Sequence, residues 1–200
     1  MLCRGIIAAH RGSGKSSLLA ITLDELNTTE KPDLLRRLSG IVENSPWVVE
    51  TVLEQRPFAS VNGFCDAIRD CLEGLPEEEK ISLFRAHPEL AGREAGEGSL
   101  TRFSSDEQAR LGLLALSEAD KLELDRLNAQ FRRKFGFPFI VALHNMPDLA
   151  SVFEAFRQRL RCDPAEEIDA AVGEIAQVIR GRVLARVMEL PESDTHGSQA

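Results

Sequence analysis

DPAEEIDAAVGEIAQVIRGRVLARVMEL, running from Asp163 to Leu190, is the stretch on which the fold turns. Asp163 and Glu166, three residues apart around Pro164, form the reciprocal cap of a helix start, with proline preset for a first helical position. Ile168, Val172, Ile175 and Ile179 then recur at alternating steps of four and three, the spacing of one buried helix face. Arg182 and Arg186 continue that stripe. A guanidinium taken out of water without an anion is costly, so Arg182 is expected to meet a protein carboxylate or an acidic ligand. The plainer alternative is that both arginines lie past the edge of the core and reach for solvent.

Working outward from this helix, start and stop signals recur at short intervals and strand signals scarcely appear. Thr22-Leu23-Asp24-Glu25 is a capping box, and Pro32 precedes Leu34, Leu35 and Leu38, with Gly40 as a stop. Ser45-Pro46 opens a helix carrying Trp47, Val48, Val52 and Leu53. Val61, Phe64, Ile68 and Leu72 follow helical spacing to Gly74. Pro76 and three glutamates begin the helix that ends near His87. Residues 92–103 read as an exposed loop. Helices are expected from Ser105 to about Leu116, from Glu118 to Phe135 with Gly136 as the stop, and from Asn145-Met146-Pro147 through Leu160. The expected fold is all-α, a single-domain bundle of eight to nine short helices over 22–190, followed by a polar tail over 191–200.

Two hundred residues with 43% hydrophobic content suffice for one domain with a real core. The 24 basic residues against 32 acidic ones give −8, with no basic stripe, so nucleic acid is not an expected partner. No run of 18 apolar residues exists to span a membrane. Cys3, Cys65, Cys71 and Cys162 match neither a zinc spacing nor a disulfide framework, and read as reduced intracellular thiols. Residues 1–21 hold Arg4, Arg11 and Lys15 with no acid, and read as a disordered or loosely attached extension. Gly12-Ser13-Gly14-Lys15-Ser16 within it is an incomplete phosphate loop: the motif needs glycine where Ala9 stands.

Three blocks carry candidate chemistry. In Phe84-Arg85-Ala86-His87-Pro88-Glu89-Leu90-Ala91-Gly92 the proline disfavours helical geometry at His87, which puts a titratable imidazole at a helix break. A capped structural histidine is the plain alternative. Ser104-Ser105-Asp106-Glu107-Gln108 reads as a helix start, either a capping box or an anion cradle. Phe137-Pro138-Phe139-Ile140-Val141 is an apolar extended segment whose backbone groups need partners, which core packing or a flat ligand with amide edges could supply. His10, His144 and His196 lack comparable context and are expected at the surface. No metal-ligand cluster is visible among His, Cys, Asp and Glu.

Taken in order, these blocks resemble the 2-oxo-4-hydroxy-4-carboxy-5-ureidoimidazoline (OHCU) decarboxylase family. The resemblance runs from about Leu23 to Leu190 through Leu23-x-x-Leu26-Asn27, Ser45-Pro46-Trp47, Arg56-Pro57-Phe58, Ala86 to Gly92, Ser105-x-Glu107-Gln108, Leu127-Asn128 through Lys134 to Ile140, and Asp163-Pro164. It implies an all-helical, cofactor-free enzyme, usually a homodimer, and the reduced thiols fit a cytoplasmic location. The implied reaction yields (S)-allantoin in urate breakdown by decarboxylating a small ureidoimidazoline, with no metal. It also implies His87 as general acid/base, Glu107 as its assisting carboxylate and Arg182 as the substrate-binding arginine. The implied contacts are Pro88, Ser104, Ser105, Asp106, Glu107 and Gln108, with the loop Phe139, Ile140, Val141, Ala142 and Leu143. The chain departs from the family pattern at Phe131, usually tyrosine, at Ala109-Arg110-Leu111, usually a smaller run, and at Val183, often leucine. A non-catalytic helical binding or scaffold module of the same fold is the alternative reading.

Overall fold

The computed structural model describes residues 20–189. The glycine-rich run at 12–16, His10 and His196 lie outside the described residues. Within them the chain forms ten α-helices, against the eight or nine expected: α1 Leu23–Thr28, α2 Lys31–Arg37, α3 Pro46–Val52, α4 Val61–Glu73, α5 Glu77–Arg85, α6 Arg93–Glu97, α7 Arg102–Arg110, α8 Glu118–Phe135, α9 Leu149–Arg159 and α10 Pro164–Arg186. The extra helix is α6, five residues set between Gly92 and a left-handed Gly98 in the stretch expected to be a loop. It buries no residue, so no apolar period announces it.

The caps behave as their chemistry requires. Thr22 and Glu25 exchange backbone bonds at 2.9 and 3.1 Å, and Asp163 and Glu166 at 3.0 and 2.9 Å. The start of α7 differs from expectation. Thr101 is the N-cap, its hydroxyl accepting from the Ser104 N–H at 3.3 Å, so α7 begins three residues before Ser105 and ends well before Leu116. Ser104 and Glu107 therefore sit inside the helix and are not its cap. Similarly, α9 starts at Asp148, whose carboxylate caps Ser151 N, and not at Asn145.

Helix α10 is the axis of the molecule and packs against α4, α5 and α8. The stripe read from the sequence is buried in full, and Ala171, Val178 and Val183 join it, so the covered face is wider than a single row. Covering its six valines and isoleucines is worth on the order of 10 kcal/mol, far more than helix propensity supplies. Expected to reach Leu190, the helix stops at Arg186, where the chain extends into β2 (Val187–Met188). This pairs in parallel with β1 (Ile21–Thr22), Ile21 opposite Val187. Two residues are too short for a strand period to show in sequence. A second focus of the core is aromatic: Phe131 lies within 6.1 Å of Phe135, Phe137, Phe139 and Phe156, ring centre to ring centre. No described helix is long and apolar enough to cross a membrane.

Candidate active site

Helix α5 ends as the sequence predicts, and His87 leaves it with its N–H still bonded to Phe84 O at 3.1 Å. Its ring nitrogen Nδ1 lies 3.2 Å from Leu83 O. A carbonyl only accepts, so Nδ1 carries the proton and Nε2 is left as a free base. Burial, reinforced by the charge of Arg182, pushes the imidazole down to about 4, so the ring is neutral at physiological pH.

The turn after His87 is braced from two helices. Gln108 on α7 accepts the Ala91 N–H at 2.8 Å, and Asn128 on α8 donates to Leu90 O at 3.1 Å. Ala91 sits at φ 46°, a left-handed conformation that such bonds must hold in place. At Gly92 a Cβ would come within 2.7 Å of Glu89 Cβ, so no larger residue fits without a shift. With its carbonyl committed to Ala91, Gln108 has its amide N–H groups left for the cleft.

Arg182, 3% exposed, meets two carboxylates. Nε and Nη2 form a fork on Glu107 at 2.8 and 2.7 Å, and Nη1 reaches Glu43 at 2.8 Å. Desolvation alone would lower the arginine, but these carboxylates outweigh it and raise it above its ordinary value. The anion partner expected for Arg182 is therefore the protein itself. Arg186, by contrast, donates to Arg37 O at 2.6 Å and lies over the Phe103 ring. Ser104 donates to Glu43 at 2.8 Å and accepts from Arg182 at 3.1 Å, which commits its proton. Glu107 bonds to Arg182 and, among the described residues, makes no hydrogen bond to His87.

The opposite wall is the segment after Gly136, whose φ of 79° ends α8. Ala142 N donates to Glu174 on α10 at 2.7 Å, Arg159 reaches Ile140 O at 3.5 Å, and Arg110 bonds Leu143 O and, at 3.0 Å, Met146 O. Arg110, the bulky departure, thus ties this wall to α7 and leaves the cleft clear. The buried N–H groups of Ile140 and Val141 donate to no acceptor among the described residues. An extended backbone with unspent donors is suited to a flat heterocycle bearing carbonyl edges.

His87, Pro88, Ser104, Glu107, Gln108, Phe139, Ile140, Val141, Leu143 and Arg182 come together around one narrow cleft, with Leu90 and Val178 completing its walls. Three candidates from the sequence do not line it. Ser105 lies off the cleft, Asp106 pairs with Arg102 at 3.8 Å on the exposed side of α7, and Ala142 spends its N–H on Glu174. Glu43 was not foreseen. Its only sequence signal is a lone acid in the apolar run Ile41-Val42-Glu43, and its partner is 139 residues away. No group of three His, Cys, Asp or Glu suited to a metal occurs among the described residues.

Residues 27–184 match the family described as OHCU decarboxylase. The chain is 34% identical over 154 residues to the 2-oxo-4-hydroxy-4-carboxy-5-ureidoimidazoline decarboxylase of Mus musculus, covering 77% of this chain and 86% of that one. It is 32% identical over 169 residues to the Bos taurus protein of the same name, covering 84% and 99%. In fold it is similar to a crystal structure of (S)-allantoin synthase, with TM-score 0.66 and 22% identity over 84% of this chain and 54% of that one. It is also similar to OHCU decarboxylase in the presence of (S)-allantoin, with TM-score 0.58 and 18% identity over 72% and 93%. The matched stretch contains every residue of the cleft, from His87 to Arg182, together with Glu43 behind it, and with these relatives it leads to one assignment: this chain belongs to the OHCU decarboxylase family.

Proposed function

We propose that the cleft decarboxylates 2-oxo-4-hydroxy-4-carboxy-5-ureidoimidazoline to (S)-allantoin, a step of urate degradation. The observation that carries this reading is a neutral imidazole with a free Nε2, set between an ion-paired wall and a wall of unspent backbone donors. As CO₂ leaves, its bonding pair forms a double bond between the two ring carbons, and the electrons of the ring C=N bond move onto that nitrogen, which takes a proton from solvent. The 4-hydroxyl gives its proton to His87 Nε2 and becomes a ring carbonyl. The imidazolium returns a proton to the ring carbon bearing the ureido group. Delivery from one side only sets the configuration.

The N–H groups of Ile140 and Val141 are suited to the ring oxygen on which charge collects, and fixed amides of this kind supply several kcal/mol, about 3 per donor. Gln108 and Pro88 hold the ring's edge and face beside His87. Glu107 and Arg182 act from the opposite wall. A poorly basic imidazole is a correspondingly strong acid once charged, which suits return of the proton to carbon. Cofactor independence and a homodimer belong to the same reading and rest on the family resemblance, and a cytoplasmic location rests on the cysteine pattern.

The test follows optically active allantoin by circular dichroism from freshly generated substrate. The protein should produce signal faster than spontaneous decay, and His87→Ala should remain folded while losing about 10²- to 10⁴-fold in rate. Undiminished turnover by His87→Ala would refute this role.

A further inference from the structure

Every N–H of the Arg182 guanidinium is already spent. Nε donates to Glu107 Oε1, Nη2 to Glu107 Oε2 and Ser104 Oγ, and Nη1 to Gly40 O at 2.9 Å and Glu43 Oε2. A guanidinium has five donors and accepts nothing. A ligand entering the cleft therefore finds no free donor on Arg182 unless one of these partners leaves.

The partners differ in how readily they can leave. Gly40 O is backbone. Glu43 is 1% exposed, and its Oε2 also takes the hydroxyls of Thr101 and Ser104, each at 2.8 Å. Withdrawing it would strand three donors at once, those of Ser104 and Arg182 buried. Glu107 is 24% exposed, lines the cleft and, among the described residues, makes its side-chain bonds to Arg182 alone. It is the one partner that can swing toward open space and be hydrated or bonded there.

We propose that Glu107 is an exchangeable internal ligand of Arg182, occupying the fork in the empty enzyme and giving way to a carbonyl edge of the bound molecule, while Glu43 stays as the permanent counter-ion. The division of labour explains why one arginine has two acids. If Glu107 were the only anion, its displacement by a neutral edge would leave a bare buried cation, at prohibitive cost. With Glu43 fixed, Arg182 remains neutralised throughout. After product forms, return of Glu107 to the fork competes with the product and promotes its departure. No bond is made or broken in the exchange beyond hydrogen bonds.

The identity of the ligand rests on the decarboxylase reading, so the experiment separates the two. Binding of (S)-allantoin is measured by calorimetry for the wild type, Glu107→Gln and Glu43→Gln, alongside turnover. Glu107→Gln weakens the competitor for the fork while Glu43 still neutralises Arg182; it should bind (S)-allantoin about tenfold more tightly although its turnover falls. Glu43→Gln makes Glu107 the sole anion and should bind about tenfold more weakly. A purely structural role for either acid would not give opposite signs.

Equal or weaker binding by Glu107→Gln, with wild-type turnover intact, overturns the exchange and leaves the decarboxylase reading standing. If Glu43→Gln does not fold, Glu107→Gln and Glu107→Ala still decide, since both open the fork. A wild type that neither binds (S)-allantoin nor accelerates its formation removes the decarboxylase reading and the exchange with it.

Discussion

Helix α10 carries or contacts two arginines that each hold a pair of carboxylates, and the two arrangements differ in one respect. Arg159 pairs with Glu167, which is fully buried, and lies 3.8 Å from Glu174, which is 28% exposed. Arg182 pairs with Glu43, at 1%, and Glu107, at 24%. In both, one acid is sealed in and one reaches outward. Glu174, however, is bound to the Ala142 amide, whereas Glu107 opens on the cleft. The same charge pattern is thus a brace where its outer acid is tied to backbone, and a site where that acid is untied.

The largest effects should come from the arginines. Arg182→Met and Arg159→Met each strand a buried carboxylate and should each cost about 3–5 kcal/mol in chemical denaturation. Only the first should abolish binding of (S)-allantoin; equal loss of binding in the two would break the contrast. Next comes Glu174→Ala, which leaves the Ala142 N–H unsatisfied and should destabilise by about 1–3 kcal/mol, with KM rising as the amide wall loosens. An unchanged melting temperature would mean that the brace carries nothing.

The pH dependence is a smaller effect with a definite sign. The unfolded chain's His87 takes a proton near its ordinary 6.5, while the folded one resists until about 4. Between those values the unfolded state binds the extra proton, so acidification costs stability there, and none of this contribution remains above 6.5. The difference between wild type and His87→Gln isolates it. Likewise kcat/KM should hold its neutral value until pH approaches about 4, where the base is lost. An acid limb centred near 6.5 would contradict a buried, neutral ring. Smallest of all is Arg110→Ala, exposed on α7, which should cost under about 1 kcal/mol and alter KM only slightly.

How much of this was legible depended on how far apart the partners lie. Caps are local, so Thr22 with Glu25 and Asp163 with Glu166 could be read from three-residue spacing. The apolar period of α10 led to its buried face and to the question of what neutralises Arg182. The same spacing misled at Ser104-x-x-Glu107: Thr101 caps α7, and lacking a glutamate three residues on it left no box to find. Glu43 was invisible because a buried acid differs from an exposed one only through Arg182, far along the chain. Phe131 could be read as a packing residue, and four neighbouring rings surround it, but which rings is a matter of tertiary structure.

The parallel pairing of Ile21 with Val187 sets the two ends of the helical body side by side, about 5 Å apart across one ladder rung. A short glycine-serine connector could therefore join residue 20 to residue 189 without crossing the molecule. New termini could be cut at Gly96–Gly98, where added side chains would meet nothing within 4 Å. The rearranged chain would give up α6, thread the other nine helices in a different order and leave the residues around His87 in place.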